Sequence, residues 1–405
     1  MTPDVQRRTL AVLVGSQVLS GAGLAAGITV GALLAQDMLG STDLAGLPTA
    51  LFTAGSALAA VAVGRISQTR GRRPGLAAGY LAGAVGSAGV IVAAVAGLPV
   101  LLFAALFVYG AGTATNLQAR YAGADLAAPA HRARAVSTVL VATTFGGVVG
   151  PNLAAPTGDL AVALGLPALA GPFLLAGAAY ALAALGLFVG LRPDPLLVAR
   201  ELDLRQPAPD TSTGGPRHGL ALGALTMILT QVVMVAIMTM TPIHMHDHGH
   251  GTAAAGLVIA IHVGAMYLPS PVTGWLVDRY GGVPVAAASG FTLLAAGTLA
   301  AFAPVDSVVL LAVALALLGL GWNFGLVSGT ALLTDAVPLA SRAKVQGTVD
   351  VSIAIAGAVG GLASGVVVAA ASFPVLALVG GLLALAVLPA IVALASDRAY
   401  ALPPE

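Results

Sequence analysis

The sequence predicts an all-α polytopic membrane protein of twelve transmembrane helices, arranged as two pseudo-symmetric six-helix bundles. Three observations carry this expectation. The 405 residues are 58% apolar and only 8% charged, far from the roughly 25% charged of soluble domains. Apolar runs recur to the C-terminus, each about 20 residues long and closed by polar or helix-breaking residues, as a bilayer-spanning helix requires. A single offset of 210 residues relates one half to the other.

The first half supplies spans at 9–36, 46–64, 75–96, 99–121, 135–156 and 168–191; the second supplies 218–243, 253–275, 284–304, 306–328, 345–370 and 373–395. A polar stretch rich in Pro, Gly and Thr, 192–217, reads as a flexible cytoplasmic linker. The expected organisation is a bundle over 1–191, the linker over 192–217 and a second bundle over 218–405. No short apolar N-terminal segment stands apart from the spans, so no cleavable signal is expected.

Lys and Arg stay on the cytoplasmic side of a membrane protein. With the N-terminus inside, all 17 basic residues fall in cytoplasmic segments or adjoining span ends, and the outer loops carry Asp37, Asp43, Asp159, Asp247 and Asp306. One missed span would throw the later arginines outside. The partition therefore supports twelve spans with both termini cytoplasmic, in a bacterial-type inner membrane. Arg120, near a span end, is expected to reach the interface by snorkelling.

Gly64, Gly71, Pro74, Asp125, Thr138 and Gly150 recur 210 residues later as Gly274, Gly281, Pro284, Asp335, Thr348 and Gly360, and Arg134 becomes Lys344. Such parallel duplication places a transport path at the interface of the repeats. Cysteine is absent, which removes disulfide and thiolate chemistry. No phosphate-binding Gly-x-x-x-x-Gly-Lys-Ser/Thr loop occurs, and the basic residues form no single patch for nucleic acid. Neither an enzyme nor a prosthetic cofactor is expected.

These residues resemble the major facilitator superfamily. Its loop signature, Gly-x-x-x-Asp-Arg-x-Gly-Arg-Arg/Lys, corresponds to Gly64 through Arg73, with Gln68 and Thr69 departing from the acidic and basic positions. The second half keeps Gly274, Asp278, Arg279 and Gly281 but has Gly282 and Val283 at the terminal basic pair. The resemblance implies alternating access, with gating contacts at Arg72, Arg73, Asp278 and Arg279. The first lock is then the weaker of the two.

Of eight methionines, six lie between Met227 and Met266; of seven histidines, five lie between His244 and His262. Met234 with Met238, and His262 with Met266, are each four apart and share a helix face. Met227 extends the first stripe. The two spans are consecutive and antiparallel, so the stripes are expected to face one another as a ladder. Met240 and the outer run His244, Met245, His246, Asp247, His248 and His250 are expected to form an accessory capture loop above it, or simply a solvated tract. Thioether and imidazole are donors suited to Cu(I). Methionine at this spacing is most often a packing residue, whereas His262 inside a span is a functional candidate by default.

The paired motifs on the seventh and eighth spans resemble those of CcoA-type copper importers within that superfamily. The resemblance implies copper binding at Met234, Met238, His262 and Met266, and inward transport. The alternatives are a proton-coupled exporter of a drug or small metabolite, and a non-transporting metal sensor. Asp350 in the eleventh span is either a proton-coupling carboxylate or a helix-terminal anion paired with Lys344. Gln17, Asn116, Gln118, Gln231 and Asn323 are expected to tie helices together. Expected partners are membrane lipid, copper and protons, with the chain working as a monomer.

Overall fold

A computed structural model describes residues 3–25, 30–39, 47–204 and 216–400. Helix accounts for nearly all of them, and no strand occurs among the described residues. In hydrocarbon the backbone has no water to bond, so apolar runs satisfy their N–H and C=O groups within helices. Ten stretches among the described residues are long and apolar enough to cross a membrane. They correspond to all the expected spans except the first and fifth. The first is carried by α1 (Pro3–Ala25) and α2 (Gly31–Leu39), either side of residues 26–29, which lie outside the described residues. The fifth is carried by α6 (Arg132–Asn152) and α7 (Ala154–Ala163), which part at Leu153.

Two compact units emerge. Unit 1 comprises Met1–Ala127, Thr138–Gln206 and Leu339–Ile355; unit 2 comprises Ala128–Ser137, Pro207–Pro338 and Ala356–Glu405. Relative to the halves drawn from the sequence, two helix ends change places: 128–137 groups with the second half and 339–355 with the first.

Unit 1 is built on α3 (Leu47–Arg70), α4 (Arg72–Ala96), α5 (Pro99–Ala124) and α8 (Gly171–Gly190), with α1 and the start of α15 (Arg342–Ala370). Its core is aromatic: Tyr80 stacks on Tyr180 with centroids 5.7 Å apart, and Tyr109 meets the edge of Phe173 at 5.5 Å. The Tyr80 hydroxyl lies 2.7 Å from Gln17 Oε1 and 2.9 Å from Ser20, and Asn116 donates to Ser20 at 2.8 Å. Gln17 in turn donates to the Asn116 carbonyl at 3.0 Å. These amides join α1, α4 and α5 as a satisfied buried network.

The expected linker is helical over α9 (Pro195–Leu204). Asp194 caps it, its Oδ1 accepting from the Leu196 and Leu197 amides at 3.0 and 3.3 Å. Polar composition suggested flexibility, but an aspartate before an apolar turn nucleates helix. Residues 205–215, with Arg205, and Asp43 in an expected outer loop, lie outside the described residues.

In unit 2, α10 (Pro216–Asp247) and α11 (Thr252–Tyr267) pack chiefly against α14 (Val308–Ala336) and less against each other. The expected eighth span breaks between α11 and α12 (Ser270–Tyr280), where Pro269 and Pro271 withdraw backbone donors. Beyond follow α13 (Gly282–Phe302), α16 (Phe373–Ala384) and α17 (Val387–Tyr400).

Candidate functional site

On α11, Val258, His262 and Met266 are buried while Leu257 and Ile261 are exposed. The four-residue spacing thus puts both candidate ligands on the covered face, against α14. His262 is fully buried, and its Nδ1 lies 2.8 Å from the Leu315 carbonyl oxygen. A carbonyl only accepts, so Nδ1 carries the proton and Nε2 is left with a bare lone pair. That Nε2 is buried and has no hydrogen-bond partner. The Met266 carbonyl accepts from Asn323 Nδ2 at 2.7 Å, and Asn323 also donates to Ser270 at 2.7 Å. Gly319 permits the close fit, because a Cβ there would stand 2.5 Å from the His262 carbonyl oxygen and 3.0 Å from the Met266 nitrogen.

On α10, Met227 and Met234 are buried and Met238 and Met240 are half-buried. Met227 lies over Gly329, its sulfur accepting from the Thr330 hydroxyl at 3.7 Å. It therefore packs on α14, not on α11. Gln231 shares the stripe of Met227, Met234 and Met238, and its Oε1 accepts from Trp322 Nε1 at 2.8 Å. Tyr267 meets Trp322 edge-on at 5.7 Å. This Gln231, Trp322 and Tyr267 cluster spans three helices, so helical spacing along one chain segment gives no sign of it. Among the described residues no three His, Cys, Asp or Glu side chains gather.

The histidine tract is not a loop throughout, as the sequence suggested. Residues 244–247 form the last turn of α10, because the helix continues through Pro242. His244 stacks on Phe373 at 4.3 Å, His248 Nδ1 lies 2.7 Å from the His244 carbonyl, and His250 Nε2 lies 2.7 Å from the Val305 carbonyl. Met245 is fully buried and His246 exposed.

Unit 1 holds a second cluster. Arg120 does not snorkel: it is fully buried, with Nη2 2.8 Å from Asp350 Oδ1 and 2.7 Å from the Tyr121 hydroxyl. Asp350 thus pairs with Arg120 rather than Lys344. Its Oδ2 is buried without a hydrogen-bond partner. One turn earlier on α15, Gln346 Oε1 accepts from Arg72 Nη2 at 2.6 Å, and Arg72 Nε donates to Asp125 Oδ2 at 2.7 Å. Both guanidinium groups lie over the Tyr121 ring, at 4.0 Å for Arg120 and 5.9 Å for Arg72. Asp350 and Arg72 stood out in the sequence as single residues and Asp125 through its repeat, but nothing in the sequence paired them with Arg120 or Gln346.

The Major Facilitator Superfamily sequence pattern matches residues 13–266 and again 220–404. The chain belongs to the major facilitator superfamily. It is 57% identical to an uncharacterised transporter of that superfamily, YdeG of Bacillus subtilis (strain 168), over 96% of this chain and 92% of the relative. It is 32% identical to the riboflavin transporter RfnT of Brucella anthropi, over 85% of each. The fold is that of the human organic anion transporter MFSD10, with a TM-score of 0.75 at 17% identity, covering 96% of this chain and 100% of that one. This is a multi-pass membrane transporter, and its cargo must be sought in the side chains that distinguish it from others of the superfamily.

The loop-signature positions are tied to helix starts in both halves, even where the residue type departs from the signature. Gln68, at the acidic position, accepts the Ala343 and Lys344 amides through Oε1 at 2.8 and 3.2 Å and donates to the Ala340 carbonyl at 2.6 Å. Asp278 accepts the Ala133 and Arg134 amides at 2.9 and 3.1 Å, and Arg134 Nε lies 3.3 Å from its Oδ2. Arg132 pairs with Asp335. The Arg73 amide donates to Asp194 at 2.7 Å while its guanidinium lies over Phe188, and Arg279 is exposed.

Proposed function

We propose that this transporter imports copper through Met234, Met238, His262 and Met266 by alternating access. The observation that carries the reading is His262: its tautomer is held by the Leu315 carbonyl, and the free Nε2 lone pair is buried with nothing to bond. Backbone carbonyls orient metal-binding histidines in just this way, and an unsatisfied buried nitrogen is otherwise a cost without a return. Met266, one turn along the same face of α11, offers a thioether, a donor that favours Cu(I) over hard cations. Between Arg217 and Arg279 the sequence has no Lys or Arg, so beyond the first turn of α10 no fixed positive charge on α10 or α11 opposes a cation. The distribution of basic residues supports an orientation with both termini in the cytoplasm. We assign the coupling proton to Asp350, whose Oδ2 is buried without a hydrogen-bond partner.

The test is uptake of radioactive copper in cells lacking other importers. Met234→Ala and His262→Ala should each cut uptake sharply at unchanged protein level. Normal uptake in both variants sinks the reading.

A second reading is import of a planar heterocycle, favoured by 32% identity to a riboflavin transporter and by the Trp322, Tyr267 and Gln231 cluster. Aromatic faces and an amide are what such a ring system would use. Riboflavin uptake that fails on Trp322→Ala but survives Met234→Ala would select it over copper.

A further inference from the structure

We propose that His244 and His248 form a two-imidazole site for a divalent transition cation at the C-terminal end of α10, separate from the buried methionines. The two residues are one helical turn apart, and their ring centroids lie 4.4 Å apart. Each ring is held. His244 lies flat on Phe373, 13° from parallel, at 4.3 Å. His248 Nδ1 is 2.7 Å from the His244 carbonyl oxygen, which can only accept, so the proton is on Nδ1 and Nε2 offers its lone pair. That is the arrangement in which a metal-binding imidazole is oriented by a hydrogen bond from its other nitrogen.

The surroundings favour a cation. The C-terminal end of a helix carries partial negative charge from its unpaired carbonyls, and α10 is 32 residues long. No Lys or Arg occurs between Arg217 and Arg279, while Asp247 lies between the two histidines in sequence. The turn that follows is anchored as well, since His250 Nε2 lies 2.7 Å from the Val305 carbonyl, next to Asp306. Imidazole with few charged donors suits Cu(II), Ni(II) and Zn(II), and disfavours Mg(II) and Ca(II), which take oxygen cages. Two protein ligands leave coordination positions to water. The site is therefore one for reversible capture and not a closed structural centre.

Untagged full-length protein in detergent is titrated with Cu(II) alone and followed by electron paramagnetic resonance and equilibrium dialysis. About one Cu(II) per chain should bind with nitrogen hyperfine structure. The signal should persist in Met234→Ala, His262→Ala and His246→Ala. His248→Ala or His244→Ala should weaken binding by more than the roughly tenfold lost with an outer-shell partner. As a measurement on the unaltered chain, Ni(II) should protect His244 and His248, but not His246, from diethylpyrocarbonate. Undiminished binding in both His variants, or equal modification of the three histidines with and without Ni(II), overturns the site. Neither outcome depends on copper uptake, so the site and the import reading fail separately.

Discussion

Gln68 and Asp278, 210 residues apart, each receive two backbone N–H groups from the first turn of a helix: Gln68 from Ala343 and Lys344, Asp278 from Ala133 and Arg134. The donors are themselves related by the same offset. The duplicated contact has kept its shape and changed its charge. A helix start is partially positive, so the Asp278 carboxylate makes charge-assisted bonds, and the Gln68 amide makes neutral ones plus a bond back to Ala340.

The two caps should therefore differ in strength. Gln68→Ala is expected to cost about 1–3 kcal/mol and Asp278→Ala about 3–6 kcal/mol, from the two neutral and two charged cap hydrogen bonds respectively. Thermal unfolding of the purified variants in one detergent gives the order. Equal losses would mean that charge contributes nothing at Asp278.

Arg120 and Asp350 have no counterpart in the repeat, where Thr330 and Leu140 occupy the equivalent positions. Asp350→Leu alone strands a buried guanidinium and should cost about 3–5 kcal/mol. Combining it with Arg120→Thr, which copies the other half, should recover most of that loss. If Asp350 carries the coupling proton, Asp350→Asn abolishes pH-gradient-driven uptake and spares exchange of substrate across the membrane. Retained gradient-driven uptake assigns the residue to structure alone.

Gly71 and Gly281 share a backbone conformation, φ 95° and 90° with ψ 169° and 163°, that is essentially reserved for glycine and costs other residues about 1–3 kcal/mol. Their surroundings differ. A Cβ on Gly71 would collide with the Asp194 carboxylate, whereas one on Gly281 meets nothing within 4 Å. Gly71→Ala should be the more destabilising of the pair, and adding Asp194→Ala should narrow the gap. Identical unfolding temperatures for the two single variants would contradict this.

Gly319 sets the distance between α14 and the backbone of both His262 and Met266. Gly319→Ala should displace α11 by tenths of an ångström and, if copper is the cargo, reduce its uptake by about tenfold or more, since misplacement near 1 Å can cost about a hundredfold. Surface labelling keeps expression in check, and the cysteine-free chain permits a single introduced thiol for it. Unchanged uptake at equal surface level would show that this packing does not control the ligands.

Much of the framework was legible in the sequence because lipid imposes a simple rule. Apolar length, the position of basic residues and the 210-residue offset all report on a chain that must satisfy its backbone within helices. Spacing of four likewise placed His262 and Met266 on one face of α11. Helix ends were less legible: the His244 turn remains helical through Pro242, and the expected eighth span breaks at Pro269. One proline is accommodated and the other is not.

By itself, then, the sequence determined the class of fold, the duplication, and the concentration of methionine and histidine in one stretch. The partners of individual polar groups were decided only by tertiary structure. Arg120 meets Asp350 across 230 residues, Gln68 caps a helix that starts more than 270 residues away, and His262 turns to Leu315 on α14. Periodicity tells which face of a helix is covered. It does not tell which helix covers it, and a buried charge or imidazole takes its protonation, its bond and its use from that neighbour.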